Sequence, residues 1–216
     1  MPKKNIYTVF ILMMIMLLAA CGDDETEKSG ESGQVDSGID DKYGIDANMD
    51  KEMEPFSFTD QDDETFALDD LEGKWWVADL VFTNCTTVCL PMTTNMSSLQ
   101  DTLADEGIDA ELVSFSVDPD NDTPEVLKDY AEEYDADESN WHFLTGYDFE
   151  TMQDMSVDIF MQPLEEPPEG DDQVTHGTRF FLIDPEGNVI KNYDGQQSDN
   201  MDDIAEDLKT AQQADG

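Results

Sequence analysis

Two cysteines and one histidine are the residues of this chain best suited to chemistry. Cys85 and Cys89 lie four positions apart in VFTNCTTVCLPMT, and His176 follows far downstream in QVTHGTRFFLIDPEG. If both thiols lie in one helical turn, they share a helix face about 5–6 Å apart, which permits a disulfide or a shared metal ion. Thiolates prefer Cu(I), whereas imidazole accepts Cu(I) and Cu(II) alike. The set therefore predicts either a three-ligand copper site or a redox dithiol with a helper.

Other uses of these residues fit the pattern less well. Zinc generally takes a fourth ligand, and a structural disulfide between Cys85 and Cys89 closes too small a loop to constrain the unfolded chain much. His176 follows a polar stretch that we expect to be a flexible loop, from which a side chain can swing towards a site. The other histidine, His142, follows Trp141 on a predicted short strand and is interpreted as structural.

The first residues of the chain have the pattern of a secretory signal. Lys3 and Lys4 precede an apolar run over residues 6–20, which is shorter than the roughly 20 residues that a transmembrane helix needs. The run ends in Leu-Ala-Ala-Cys, which is similar to a bacterial lipobox. Residues 1–21 are therefore predicted to be a lipoprotein signal, with Cys21 as the lipidated residue. Such a protein is held on the outer face of the cell membrane.

Acidic residues dominate the composition. There are 53 Asp and Glu against 10 Lys and Arg, which gives a formal net charge of −43. A surface of this sign repels nucleic acid and anionic lipid, so binding to either is excluded. The charge favours adaptation to high salt (a halophilic protein) over a surface that recruits cations. Residues 22–52 combine acidic residues with Gly and Ser, and they are predicted to form a disordered tether.

Residues 53–213 have the composition of one globular domain, in which strands and helices alternate. The apolar run WWVADLVF predicts a buried strand that leads to the cysteines, and Thr123-Pro124 predicts the start of a helix. Strands are predicted at 75–82, 111–117, 141–144, 178–183 and 189–193, and helices at 92–106, from Thr123-Pro124, at 149–159 and at 202–209. This order predicts an α/β fold with a central mixed sheet flanked by helices. A dithiol between a buried strand and a helix is the thioredoxin-like arrangement.

Four segments of the chain resemble the Sco/SenC family of membrane-anchored copper proteins. They are VFTNCTTVCLPMT, SFSVDPDNDTPEVLKDYAEEY, WHFLTG and DDQVTHGTRFFLIDPEGNV, in the family's order. Many members carry an aspartate directly before the histidine, where this chain has Thr175 and, four positions upstream of the histidine, Asp172. Asp118 and Asp122, in the second segment, are interpreted as turn and helix-capping residues.

The resemblance implies a function that the residues alone do not name. It implies a copper metallochaperone that assembles the dinuclear copper centre of cytochrome c oxidase subunit II. By the same resemblance Cys85, Cys89 and His176 are the copper ligands, and the two thiols could also reduce the cysteines of the target. We expect a monomer.

Two alternatives use the same thiols without copper delivery. A thiol–disulfide oxidoreductase would need only Cys85 and Cys89. A peroxidase would need an arginine beside the reactive thiol, and the only arginine of the chain, Arg179, lies after His176 without the rest of a peroxidase signature. The oxidoreductase is therefore the main alternative, and whether the protein is an enzyme stays open at this point.

Overall fold

The computed structural model describes residues 42–85 and 89–215, all within one structural unit, Gln34–Gly216. The predicted signal, Cys21 and the first part of the predicted tether lie outside the described residues. Among the residues that the structure describes, no helix is both long enough and apolar enough to cross a bilayer.

Ten strands and four α-helices make up the described domain. The strands are β1 (Lys51–Glu52), β2 (Ser57–Thr59), β3 (Thr65–Ala67), β4 (Trp76–Val81), β5 (Glu111–Ser116), β6 (Trp141–Leu144), β7 (Leu164–Glu165), β8 (Thr175–His176), β9 (Arg179–Ile183) and β10 (Asn188–Asp194). The helices are α1 (Cys89–Glu106), α2 (Pro124–Glu133), α3 (Phe149–Asp158) and α4 (Asp199–Asp215), and a 3-10 helix spans Leu68–Leu71.

Six of the strands form one mixed sheet in the order β1-β10-β9-β4-β5-β6. Strand β4 runs parallel to β5 and antiparallel to β9, and β5 runs parallel to β6. Buried side chains cover both faces of the sheet: α1, α2 and α4 supply one layer, and α3 with the β2–β3 hairpin supplies the other. The predicted α/β, thioredoxin-like fold with a central mixed sheet is therefore confirmed.

Local sequence signals account for the ends of the helices. The Thr123 side chain accepts a hydrogen bond from the Val126 N–H, and Pro124 is the first residue of α2, as predicted. Helix α1 ends before Gly107, whose φ of +67° is a conformation that glycine adopts at little cost. The methionines of α1, Met92 and Met96, are buried in the core, which agrees with their helical spacing.

The predicted tether is wrong for residues 42–52. Tyr43, Ile45, Ala47 and Met49 are buried, and β1 pairs with β10 and forms the edge of the sheet. The Tyr43 ring packs edge-on against Trp75 with the ring centroids 4.8 Å apart. The average composition did not predict that this segment is ordered, because its buried residues alternate with exposed acidic and polar ones. That alternation buries one side of the segment against the sheet.

We predict that the segment stabilises the domain. Tyr43→Ala should lower the free energy of unfolding by about 3–5 kcal/mol, since it empties a buried ring site. The matched control, Tyr43→Phe, keeps the ring but removes the hydroxyl that donates to Asp184 (3.0 Å) and Glu186 (2.8 Å). It should cost about 1–2 kcal/mol. The measurement is urea unfolding in molar salt, and equal stability of Tyr43→Ala and the parent would contradict the prediction.

Candidate metal and redox site

The Cys85 thiol lies in a tight turn at the end of the central strand. The Cys85 N–H donates to the Phe82 carbonyl (3.3 Å), which closes a four-residue turn directly after β4. Cys85 is half-buried and not helical, while α1 begins at Cys89. The condition that both cysteines lie in one helical turn is therefore not met at Cys85. Residues 86–88 and the Cys89 side chain lie outside the described part of the chain.

His176 lies in a short strand and not in a swinging loop. Its backbone pairs with Leu164 across the antiparallel strands β7 and β8, and its side chain is only 9% exposed. The ring packs edge-on against Phe82, with the centroids 5.6 Å apart. The predicted flexible loop is therefore wrong for His176 itself. The two-residue strands that hold it leave no periodic pattern in the sequence, which is why they were not predicted.

The hydrogen bond of the His176 ring identifies its tautomer. Nδ1 lies 2.7 Å from the carbonyl oxygen of Gly177, and a carbonyl can only accept a hydrogen bond. Nδ1 therefore carries the ring hydrogen, and the lone pair of the neutral ring is on Nε2. In metal sites such a bond orients the ring and leaves the other nitrogen as the ligand. A Cβ at residue 177 would lie only 2.6 Å from the Gln162 Cβ, so this position requires glycine.

The turn that carries Cys85 contacts the hairpin that carries His176. The Asn84 amide donates to an oxygen of Asp172 (2.8 Å), and the Gln173 amide donates to the Asn84 carbonyl (3.0 Å). Gln173 also donates to the Asp172 carboxylate (2.9 Å), and this bond, together with the one from Asn84, holds the pKa of Asp172 below its usual range. Hydrogen bonds thus join two segments that lie almost 90 residues apart in the sequence, one carrying Cys85 and the other carrying His176.

A second carboxylate, that of Asp122, also forms hydrogen bonds with the turn that carries Cys85. Asp122 is fully buried, and it accepts hydrogen bonds from the hydroxyl groups of Thr83 and Ser116, each at 2.6 Å. Burial is the main cause that raises its pKa, and the hydrogen bonds from Ser116 and Thr83 oppose the rise. The interpretation of Asp122 as a capping residue is wrong, because Thr123 caps α2. Asp118 does belong to the local turn, since it accepts from the Asn121 side chain.

Sequence reasoning also missed Asp79, a fully buried acid in β4. Ser114 donates to it at 2.6 Å, and the Trp141 indole donates to Ser114 at 3.0 Å. Burial raises the pKa of Asp79 to about 6, against smaller lowering effects of the Ser114 hydrogen bond and the charge of His176. An acid inside the apolar run WWVADLVF was the signal that could have identified it.

We predict a pH-dependent gain in stability from Asp79→Asn. The pKa of Asp79 rises from 3.8 to about 6 on folding, so its ionisation opposes folding at neutral pH. The penalty is absent below about pH 4, grows as the pH rises and is complete somewhat above pH 6. The variant should therefore raise the free energy of unfolding by about 1–3 kcal/mol at pH 7.5 and by little at pH 4.

Urea unfolding across this pH range measures the effect. Asp101→Asn, at an exposed acid on α1, is the control for removing one charge from an acidic chain. A difference between Asp79→Asn and the parent that did not change with pH would show that Asp79 does not ionise in this range.

The described residues bring the segments that carry Cys85 and His176 into contact and leave the position of the Cys89 thiol untested. Phe82 links the Cys85 turn to the His176 ring through one hydrogen bond and one ring contact. Without the Cys89 side chain, no group of three His, Cys, Asp or Glu residues in the described part could hold a metal ion. The full ligand set of Cys85, Cys89 and His176 stays a prediction. His142 lies beside Glu111 (3.3 Å) and Phe66, which fits a structural role.

Comparisons with known proteins point to one family. The family model for SCO1/SenC matches residues 46–213. The SCO1 protein homolog of Bacillus subtilis is 44% identical over 160 residues, which cover 74% of this chain and 82% of the relative. The solved structure of a SCO1/SenC family lipoprotein from Bacillus anthracis has a TM-score of 0.72 and 47% identity, and it covers 75% of this chain and 95% of that chain.

Two further structures carry information about binding and partners. BsSco, described with a disulfide switch and as a member of the Sco family of cytochrome c oxidase assembly proteins, has a TM-score of 0.69 and 43% identity over 76% of this chain and 95% of its own. Yeast Sco1 with copper bound has a TM-score of 0.59 and 26% identity over 74% of this chain and 89% of its own. The domain is thus similar to proteins that bind copper and assemble an oxidase.

Proposed function

The chain belongs to the SCO1/SenC family, as its motifs predicted, and on that premise we propose that it is a copper metallochaperone. One copper ion is its cargo, and Cys85, Cys89 and His176 are the ligands. The observation that carries the proposal is the contact between the Cys85 turn and the His176 hairpin. It is supported by the copper-bound structure of the yeast relative.

The donor chemistry of the proposed ligands fits copper. Two thiolates suit Cu(I), and the Nε2 lone pair of a neutral imidazole serves either oxidation state. The Gly177 carbonyl and the Phe82 ring orient the imidazole, so little rotation of the ring is needed on binding. A three-ligand set leaves room for a thiol of the acceptor protein, which can take the ion by ligand exchange.

We assign the dinuclear copper centre of cytochrome c oxidase subunit II as the acceptor. The family membership and the description of BsSco as an oxidase assembly protein support this assignment. Lipidation of Cys21 would hold the domain on the outer face of the cell membrane, where a membrane-bound oxidase subunit can be reached. The lipoprotein from Bacillus anthracis supports the anchor.

Thiol–disulfide exchange is the second candidate function, and the disulfide switch of BsSco favours it. In this reaction Cys85 and Cys89 give up two electrons and two protons and form a disulfide, while a disulfide of the target takes them up and becomes two thiols. The same sulfur atoms serve both functions. A dithiol that first reduces the acceptor cysteines would prepare them to receive copper.

A copper titration of the reduced chain without its predicted signal, residues 22–216, tests the proposal. In molar salt we expect a one-to-one complex with an intense thiolate-to-Cu(II) absorption band and a matching electron spin resonance signal. His176→Ala should weaken Cu(II) binding at least about 100-fold, because loss of a ligand costs more than loss of a group that only orients one. His142→Ala is the matched control and should bind as the parent does.

The opposite results separate the two functions. A parent that forms no stable complex and is only oxidised to the Cys85–Cys89 disulfide would reject copper delivery and favour the oxidoreductase. The same conclusion follows if cells need both cysteines for oxidase activity but tolerate His176→Ala. Equal Cu(II) affinity of His176→Ala and the parent would remove His176 from the ligand set.

A further inference from the structure

We infer that Asp122 is a positioning residue for the Cys85 thiol. Its buried carboxylate holds the turn Phe82–Cys85 in the conformation that presents this thiol to the site. For copper affinity the inference rests on the proposed function, whereas the order of the turn can be measured without any metal.

The hydrogen bonds of Asp122 reach Thr83 across the fold and Ser116 at the start of its own loop. Both carboxylate oxygens accept the backbone N–H of Thr83 at 3.3 Å, and Oδ1 also accepts the Thr83 hydroxyl at 2.6 Å. Oδ2 accepts the hydroxyl of Ser116, at the end of β5. Asp122 therefore joins the ends of two neighbouring parallel strands, β4 and β5, beyond their last backbone pair.

The loop of Asp122 has other hydrogen bonds that hold its shape. Thr123 caps α2, and Asp118 closes the turn by accepting from Asn121, whose backbone N–H also donates to the Asp118 carbonyl. The bond between Asp122 and Ser116 belongs to the same loop. The contact of Asp122 that reaches another segment is the one with Thr83.

Stability is a poor explanation for a carboxylate in this position. The donors to Asp122 in the described structure are two hydroxyls and one amide, all of them neutral. Burial raises its pKa, which shows that these donors do not fully offset the loss of hydration. Buried charges without a cationic partner generally stabilise a fold less than apolar residues of the same size. The contribution of Asp122 is therefore the geometry that it imposes on Thr83.

That geometry matters because Thr83 is a central residue of the turn that ends at Cys85. The Cys85 N–H bonds back to Phe82, so Thr83 and Asn84 are the two central residues. Asp122 holds the first of them, and Asp172 with Gln173 holds the second. The contacts of the His176 hairpin hold Asn84, which is exposed, whereas Asp122 holds Thr83 from a buried position.

Two pairs of variants test the inference in the reduced chain 22–216. Asp122→Asn removes the charge and replaces one accepting oxygen with an NH₂ group, so the Thr83 and Ser116 hydroxyls can no longer each donate to an oxygen of their own. Asp118→Asn removes the same charge from the same loop and is its matched control. Thr83→Val removes the hydroxyl donor at constant shape, and Thr83→Ser restores it.

The first readout is amide hydrogen exchange of the copper-free protein. In Asp122→Asn and Thr83→Val the N–H groups of Thr83 and Cys85 should exchange at least about 10-fold faster, whereas the amides of β9 should keep the parental rate. The second readout is copper binding. The same two variants should raise the copper dissociation constant about 10–100-fold and shift the thiolate-to-Cu(II) band, whereas Asp118→Asn and Thr83→Ser should match the parent.

Several outcomes would overturn the inference. Parental exchange at Thr83 and Cys85 in Asp122→Asn would show that the carboxylate does not order the turn. Equal acceleration in β9 would mean that Asp122 acts only on global stability. Local loosening with parental copper affinity would refute the link from the turn to the ligand. If the parent itself bound no copper, the proposed function would fail, and the exchange data alone would decide on the turn.

Discussion

The central strand β4 is the constraint on which the site depends. It is bonded to β5 on one edge and to β9 on the other, and all six of its residues are buried. A strand restrained on two edges and two faces has little freedom to shift. The turn that follows β4 therefore begins at a fixed position. This restrains the position of Cys85, which lies three residues after Phe82. The same strand carries Asp79, a buried acid whose ionisation lowers the free energy of unfolding at neutral pH.

The site is built where that rigid strand meets less regular structure. Phe82 belongs to the core, yet its ring contacts His176 and its carbonyl closes the Cys85 turn. Polar side chains from outside the sheet form hydrogen bonds with the Cys85 turn. They are Asp122 from the β5–α2 loop, and Asp172 with Gln173 from the β7–β8 hairpin. The Cys85 turn is thus supported by the rigid strand on one side and by side-chain hydrogen bonds on the other.

Sequence patterns predicted the large elements and the ligand candidates, but not the contacts that arrange them. The apolar run of β4 and the Thr123-Pro124 start of α2 are local signals, and both were confirmed. Strands β7 and β8 are two residues long, too short for any periodicity, so His176 was predicted in a loop. Asp79 and Asp122 are defined by partners 35 and 39 residues away, which spacing in the chain does not reveal. The burial of segment 42–52 was not predicted, because the average composition of residues 22–52 is acidic.

The separation of His176 from the thiols in the chain has a consequence for the order of events during biogenesis. The cysteines lie in the first half of the domain, while the imidazole comes with the β7–β8 hairpin and meets the Phe82 ring only when that hairpin packs against the turn. Contacts between distant segments form late in folding. A chain that is still emerging or only partly folded thus offers thiols without the imidazole. Complete retention of a metal ion would therefore report that the domain has finished folding.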